Sequence, residues 1–537
     1  MSINNIINLI DGDITNEEKE LLNYSQDKSL FIAIPELVVF PKNSEDIKKI
    51  INFAKENNLS LTPRAAGTDM SGGAITDEII IVFTKYFNNF QIFPEEEIVI
   101  SQPGVYFRDL EKELNKYDLF LPSYPASKEL CAIGGMVGNN SGGEKTLKYG
   151  KTEDYVLGLS VVLSDGEEYY FEKLNKSELD KKLCLNNFEG EIYRKIFGII
   201  KNNYEIIKNN RLKVKKNSAG YNIWDIYDGN NFDLTKLFVG SQGTLGIITD
   251  IKFKVIKKKK YNSLSVVFLK NYNQINSILR RVLPLQPSSL EITDDHTFKI
   301  YFKYLKEVIN ILGVRGIFSN LRLFYPELKI VLRQGIPKLI VLVEFEEDEK
   351  NFLRQKILEL ERIFNEEKFN FVICKSEIEK EKYWRLRRDT YKLLREKIKD
   401  RIAAPFIDDL IIDPYYFEEF LPNLINILDK YKFLYTISGH LGDGNLHIIP
   451  LLDIKKEREK ILPAMEEVYD LVLKYKGSIT AEHNDGLVRG WYLKKMFGEQ
   501  IYSIFVEIKK IFDPDNIFNK NKKINATQKD FFKYLIS

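Results

Sequence analysis

The chain has 537 residues, 44% hydrophobic and 29% charged, a globular composition that excludes a mainly disordered protein and is too long for one compact core. Lys+Arg 79 against Asp+Glu 77 leaves a net charge of +2, so no basic field points to nucleic acid as a partner. The longest apolar runs, such as Leu264–Leu269 and Leu339–Val343, are strand-sized, and Met1–Glu20 carries acids without a basic leader; no transmembrane segment and a cytoplasmic location are expected.

Up to about Leu30 the sequence is polar and helix-like. Ala33–Phe40, closed by Pro41, reads as a strand. Asn43 and Asp46 suit an N-cap pair, and Ile47, Ile50, Ile51 and Ala54 mark one face of a helix ending at Asn57-Asn58. Further strands are predicted at Leu59–Leu61, running into Pro63, at Ile79–Phe83 and at Ile98–Ile100, with a helix lined by Phe107, Leu110 and Leu114. Val156–Leu163 and Glu168–Phe171 flank Ser164-Asp165-Gly166, a hairpin signal. Lys257–Lys260 reads as a solvated strand end or linker. Beyond it glycine thins out, and charged helices at Phe352–Phe364 and Glu377–Ile398 alternate with strands such as Leu339–Phe345, as in a second, α+β unit.

Three segments are dense in small residues: Pro63–Gly73, Ile133–Gly143 and Gly240–Gly246. Backbone N–H groups can approach an anion closely in such loops, and Arg64, Thr68 and Ser71 could add donors. None is G-x-G-x-x-G opening a βαβ helix or G-x-x-x-x-G-K-[ST], which disfavours a nicotinamide Rossmann site and a nucleoside-triphosphatase loop. Singly, each suits a tight turn as well as a cradle. Three in one unit favour a large, phosphate-bearing cofactor.

Cys131, Cys184 and Cys374 form no CxxC pair, which excludes an iron–sulfur cluster or thiolate zinc site within this chain. The only histidines are His296, His440, His447 and His483, and three of these four fall close together. His440-Leu-Gly-Asp-Gly-Asn-Leu-His447 sets two imidazoles across a glycine turn, and Glu482 follows within Thr480–Gly486. Two histidines and a carboxylate form a common catalytic-metal set that leaves positions open for a substrate. Taken alone, His440 and His447 suit buried hydrogen bonding equally well. His296, within Asp294-Asp-His-Thr297, reads as structural.

These loops resemble those of the vanillyl-alcohol oxidase / p-cresol methylhydroxylase flavoprotein superfamily. Pro122–Ser127, Ile133–Gly143, Leu147–Lys151 and Asp154–Gly158 are similar to its D-lactate dehydrogenase / glycolate oxidase large-subunit branch, and the similarity runs from about Ser25 to Lys523. The resemblance implies an α+β fold: an N-terminal extension (1–30), a two-part FAD-binding domain of the p-cresol methylhydroxylase type (31–258), an α+β substrate or cap domain (259–480), and a C-terminal segment (481–537) returning to the flavin domain. It implies that Pro63, Arg64, Ala65, Ala66, Gly67, Thr68 and Asp69 hold the FAD pyrophosphate. Pro125, Gly134, Gly135, Asn139, Asn140 and Gly143 would line the flavin, with Gly243, Gly246 and Ile248 closing the site. Asn519, in a segment resembling the family's FDPxxxxNPGK, would lie near the ring. Ala65 and Ala66 stand where the family more often has glycine, which requires negative φ there. No histidine precedes residue 296, so FAD is expected to be non-covalent.

The family's HxGDGNLH and GEHG signatures assign His440, His447 and Glu482 to a divalent metal, zinc first with manganese or iron as alternatives, and His483 to the base. Ala481 and Asn484 replace two of its glycines; asparagine tolerates the left-handed region. Tyr383–Arg388 is similar to the family's W-x-L-R helix, which gives Arg387 the substrate carboxylate; a solvated basic face is the alternative. The implied activity is metal-assisted oxidation of a D-2-hydroxy acid, lactate or glycolate, by hydride transfer to flavin N5. Ile449 and Phe406–Asp409 stand where dicarboxylate-specific relatives carry a polar residue and a lysine, which favours a small or apolar acid over 2-hydroxyglutarate. Relatives in this branch continue into an iron–sulfur half, so electrons are expected to leave to an external acceptor: an iron–sulfur protein, cytochrome or quinone. A subunit passing electrons within a larger complex and an O₂-using oxidase are the alternatives, and peripheral membrane contact is compatible with either.

Overall fold

The computed structural model describes residues 9–303, 325, 329–332, 335–397 and 401–536. The predicted helix end at Ile398 and the start of the N-terminal extension lie outside that range. Three large sheets and a two-stranded ribbon, Leu119–Phe120 with Ile256–Lys257, build the described residues. In the first, Leu37–Phe40 (β1) leads through helix Ser44–Glu56 (α1) to Leu61–Arg64 (β2) and then Ile79–Val82 (β3). The three strands are parallel in the order β1-β3-β2, and Asp13–Thr15 adds an antiparallel edge to β1. The Asn43 side chain caps α1 by accepting from the Asp46 N–H, and Ile47, Ile50, Ile51 and Ala54 are its buried face, as the periodicity predicts.

Two boundaries differ from expectation. β1 begins at Leu37 rather than Ala33: Pro35 lacks an N–H, and the Glu36 N–H goes to the Asp77 and Glu78 carbonyls instead. β2 runs through Pro63, because it is the edge strand of its sheet, where a missing donor is tolerated.

The second sheet is antiparallel. It contains Ile98–Ser101 (β4), Val156–Val162 (β5), Glu168–Asn175 (β6) and Ile247–Lys254 (β7), flanked by Phe90–Phe93 and Asn231–Asp233. β5 and β6 form the predicted hairpin around Asp165-Gly166. The short helix Ile133–Asn139 (α2) lies in the second glycine segment. Phe497 and, beyond a break at Gly498, Ile501, Ile504, Phe505 and Ile508 of the kinked helix Leu493–Phe512 share this sheet's core.

The third sheet has eight antiparallel strands. Tyr261–Leu269 (β8), Leu339–Glu347 (β10) and Ser289–Asp294 (β9) run in the spatial order β8-β10-β9, followed by Leu434–His440 (β11) and Asn445–Leu452 (β12). Helix Glu377–Lys397 (α3) crosses beside it. Buried charges join this sheet to the second glycine segment: Lys145 pairs with Glu344 and, at 2.6 Å, Glu346, while Arg388 pairs with Glu144 at 2.9 Å. Burial pushes the Glu144 carboxyl up, but Arg388 and Lys145 more than reverse that and hold it at about 2. Among the described residues, no helix is long and apolar enough to cross a membrane.

Candidate active site

The three glycine segments and the β11–β12 face enclose a cavity of about 1180 Å³. Of the residues expected to hold a flavin, those at 63–69 line it, with Pro125, Gly134, Gly135, Asn139, Gly243, Gly246 and Ile248. Ala65 and Ala66 keep negative φ, and the left-handed residue is Gly67 (φ +67). A Cβ on Gly135 would come no nearer than 3.8 Å to a neighbour. Bare backbone and open space there fit a flat ring.

Asn140, Gly143 and Asn519 do not line the cavity; they brace its loops from behind. Asn140 accepts from the Glu153 N–H at 3.0 Å. A Cβ on Gly143 would lie 2.3 Å from the Tyr124 carbonyl oxygen, so the close approach of two chains explains that glycine. Asn519 donates to the Gly73 and Gln242 carbonyls at 2.8 and 2.7 Å, linking the first segment to the third. Arg64, expected as an anion donor, is spent on the Tyr24, Gln26 and Ala74 carbonyls. Ser71 donates to Asp69, whose carboxylate also takes the Gly73 N–H, Asn139 Nδ2 at 2.8 Å and Gln242 Nε2 at 3.2 Å. One carboxylate thereby bolts all three segments together.

Opposite these loops, the β11–β12 hairpin pairs Ser438 with His447 and His440 with Asn445, so the two histidines are diagonal neighbours on one face. His440 Nε2 and His447 Nε2 both approach Glu482 Oε1, at 3.1 and 3.2 Å. Each imidazole turns its other nitrogen to a carboxylate: His440 Nδ1 to Glu291 at 2.8 Å, His447 Nδ1 to Asp408 at 3.2 Å. Outer carboxylates that fix ring orientation in this way are typical of metal-ligating histidines. The donor set, two imidazole nitrogens and one carboxylate oxygen converging on one point, fits a divalent cation such as zinc. Burial pushes the Glu482 carboxyl up, but the Lys216 ammonium, 3.2 Å from Oε2, and His440 hold it well below the usual carboxylate range.

His483 also lines the cavity. Its Nδ1 lies 2.7 Å from the second Asp408 oxygen, and its ring stacks on His447 at 4.9 Å. Arg387 lines the cavity and donates through Nε to Glu291 at 3.0 Å, while its Nη2 is buried with no partner. A solvated basic face is therefore the wrong description of Arg387, which is 8% exposed. His296 keeps to a structural setting, Nδ1 near Asp294 at 3.2 Å and its ring edge-on to Tyr435.

Sequence reading missed Asp409. Its Oδ2 accepts from Thr480 Oγ1 at 2.7 Å and from the Ala481, Glu482 and His483 N–H groups at 2.8, 2.9 and 2.7 Å. Oδ1 takes Asn445 Nδ2 at 3.1 Å, so Asp409 is engaged as a scaffold although it sits within ligand distance of His447, Glu482 and His483. Asn484 supplies the left-handed residue of this turn (φ +68) in place of glycine. Replacing Asp409 with alanine strands at least the buried Glu482 and His483 N–H groups, which should cost about 3 kcal/mol or more and lower the melting temperature. A melting temperature equal to wild type would show that the turn is held by something else.

Fold and cavity together set a floor of glycine-rich loops against a histidine- and carboxylate-bearing sheet. Residues 35–170 match the FAD binding domain family, and residues 258–522 match the FAD linked oxidases, C-terminal domain family. The chain thus carries an FAD binding domain and the C-terminal domain of FAD linked oxidases. It is 26% identical over 528 residues to D-2-hydroxyglutarate dehydrogenase of Escherichia coli (strain K12), an alignment taking in 95% of this chain and 50% of that protein, so the chain spans about half that relative's length. Glycolate oxidase subunit GlcD of Bacillus subtilis is 26% identical, with 93% of this chain and 92% of that one aligned. D-lactate dehydrogenase of Archaeoglobus fulgidus is 25% identical, with 91% of each aligned. The fold superposes on that of p-cresol methylhydroxylase with a TM-score of 0.65 at 14% identity, over 96% of this chain and 94% of that one.

Proposed function

We propose that the chain is an FAD-dependent, metal-assisted dehydrogenase that oxidises a D-2-hydroxy acid of the lactate or glycolate type to the 2-oxo acid. The observation that carries this reading is the meeting of His440 and His447 Nε2 at Glu482 Oε1, with His447, Glu482 and Arg387 lining one cavity and His440 buried beside them. In this reading 31–258 is the flavin unit and 259–480 the substrate unit, with 481–537 returning to the first. FAD, held without a covalent bond, would supply the acceptor for the Cα hydrogen as hydride. His440, His447 and Glu482 would hold a divalent cation, zinc by preference, which would acidify the substrate hydroxyl.

The protein's own groups do the rest. Arg387 takes the substrate carboxylate through Nη2, held in place by its Nε bond to Glu291. That carboxylate also orients His440, so substrate anchor and metal ligand share one support. Asp408, ionised and buried, keeps the proton of His483 on Nδ1 and leaves Nε2 bare to accept the hydroxyl proton. Ile449 lines the cavity one register step from His447, an apolar wall suited to a short substrate. Electrons then pass to an external iron–sulfur protein, cytochrome or quinone.

The relatives named above divide among lactate, glycolate and 2-hydroxyglutarate, so substrate choice calls for direct measurement. Anaerobic stopped-flow mixing of the yellow holoprotein with D- and L-2-hydroxy acids should bleach the flavin with D-lactate or glycolate and not with L-lactate. Reoxidation should be faster with a quinone or dye than with O₂. No bleaching by any 2-hydroxy acid would sink the proposal, and rapid turnover with O₂ alone would make the protein an oxidase.

A further inference from the structure

Arg387 is not alone in lining the cavity while keeping an unspent donor. Arg395 also lines it, and its buried Nη1 has no partner. The described arginines of α3 are otherwise paired with carboxylates: Arg385 with Glu381 at 2.8 Å, Arg387 with Glu291 at 3.0 Å, and Arg388 with Glu144. Among the described residues, Arg395 reaches only a backbone oxygen, that of Asp27, at 3.4 Å through Nη2. A buried guanidinium donor without a partner costs free energy until an acceptor reaches it.

The surroundings tell where in the cavity that acceptor would sit. Asp27 runs into Lys28, a lining residue whose N–H donates to the Asp69 carbonyl at 2.8 Å. Asp69 is the carboxylate that bolts the glycine segments. Arg395 thus stands at the loop end of the cavity. Arg387 stands at the histidine end, through Glu291, and eight residues of helix separate the two by about 12 Å along the axis.

We propose that Arg395 is a second anion anchor of this cavity, binding a carboxylate or phosphate oxygen. Two groups could bring such an oxygen: the diphosphate of the flavin dinucleotide, or the far carboxylate of a dicarboxylic 2-hydroxy acid. Only the second rests on the function proposed above. If it is the second, Arg395 supplies the cation that the Ile449 and Phe406–Asp409 positions lack, and the substrate is longer than lactate.

The test uses the full chain with Arg395→Gln, and Arg395→Lys as the variant that keeps the charge. Two affinities are read: that of the apoprotein for FAD, from flavin fluorescence, and those of the holoprotein for oxaloacetate and pyruvate, from the spectrum of the oxidised flavin. Neither 2-oxo acid needs turnover to bind. If the flavin is the ligand, Arg395→Gln weakens FAD by about 10- to 100-fold and leaves the ratio of the two acids unchanged. If the substrate is the ligand, oxaloacetate weakens by that factor while pyruvate and FAD hold. Arg395→Lys should recover part of either loss, which also covers a poorly folded glutamine variant. FAD affinity and the acid ratio both within about twofold of wild type in both variants would overturn the anchor. A wild-type protein that binds neither acid would instead refute the hydroxy-acid reading, and the anchor would then stand or fall on FAD affinity.

Discussion

His483→Gln should slow flavin reduction by roughly 10²- to 10⁴-fold while FAD and metal content stay at wild-type levels. The size follows from the role: the variant loses the acceptor for the hydroxyl proton but none of the three groups that meet at Glu482 Oε1. The direction with pH follows from the neighbours. Burial pulls the His483 imidazole down, but Asp409 and Asp408 more than reverse that and lift it above its usual 6.5. A base acts in its deprotonated form, so the wild-type reduction rate should rise with pH through a midpoint above 6.5, and that limb should vanish in the variant. Anaerobic stopped-flow rates across pH, with metal analysis of both proteins, check both statements. If His483→Gln loses metal as fully as a ligand variant does, His483 is a ligand and the base lies elsewhere.

The second large effect belongs to His440→Ala. It removes one of three convergent donors, so metal affinity should fall by more than about 100-fold, beyond what losing an outer hydrogen bond costs. kcat should fall and KM rise together, since hydroxyl activation and substrate chelation both depend on the cation. Metal affinity should also depend on pH in the wild type. Burial pulls His447 down, yet Asp408 and Glu482 push it up to about 10, so the ring must shed a proton before it can ligate. Chelator competition between pH 6 and 9 should therefore show affinity increasing with pH. A flat profile would remove His447 from the ligand set.

Local pattern revealed the parts of this site that sit close together in sequence. The hairpin bearing His440 and His447 follows from a glycine turn between alternating residues, and Glu482-His483 from one short segment. Local pattern also located α1, the β5–β6 hairpin and the strand at Leu339, while the flavoprotein fold class came from the resemblance of the loops. What sequence could not reveal are the groups that hold those residues in place. Asp408 and Asp409 act on positions up to 75 residues away, and Glu291 on His440 across 149. No spacing rule links such partners. Arg64 and Ser71 show the converse: their chemistry suits an anion site, but nearby carbonyls and Asp69 had already claimed their donors.

Asp409 grips the 481–483 turn by main-chain N–H groups, which every amino acid except proline possesses. That grip consequently leaves the letter at Ala481 open, whereas Asn484 is fixed by its left-handed backbone and by its buried side chain, which donates to the Gly240 carbonyl and accepts from the Asp485 N–H, both at 2.8 Å. A search that demands glycine on both sides of the Glu-His pair would pass over chains built like this one. An aspartate some seventy residues upstream is the better landmark, and proline at 481 is the substitution that such chains should never accept.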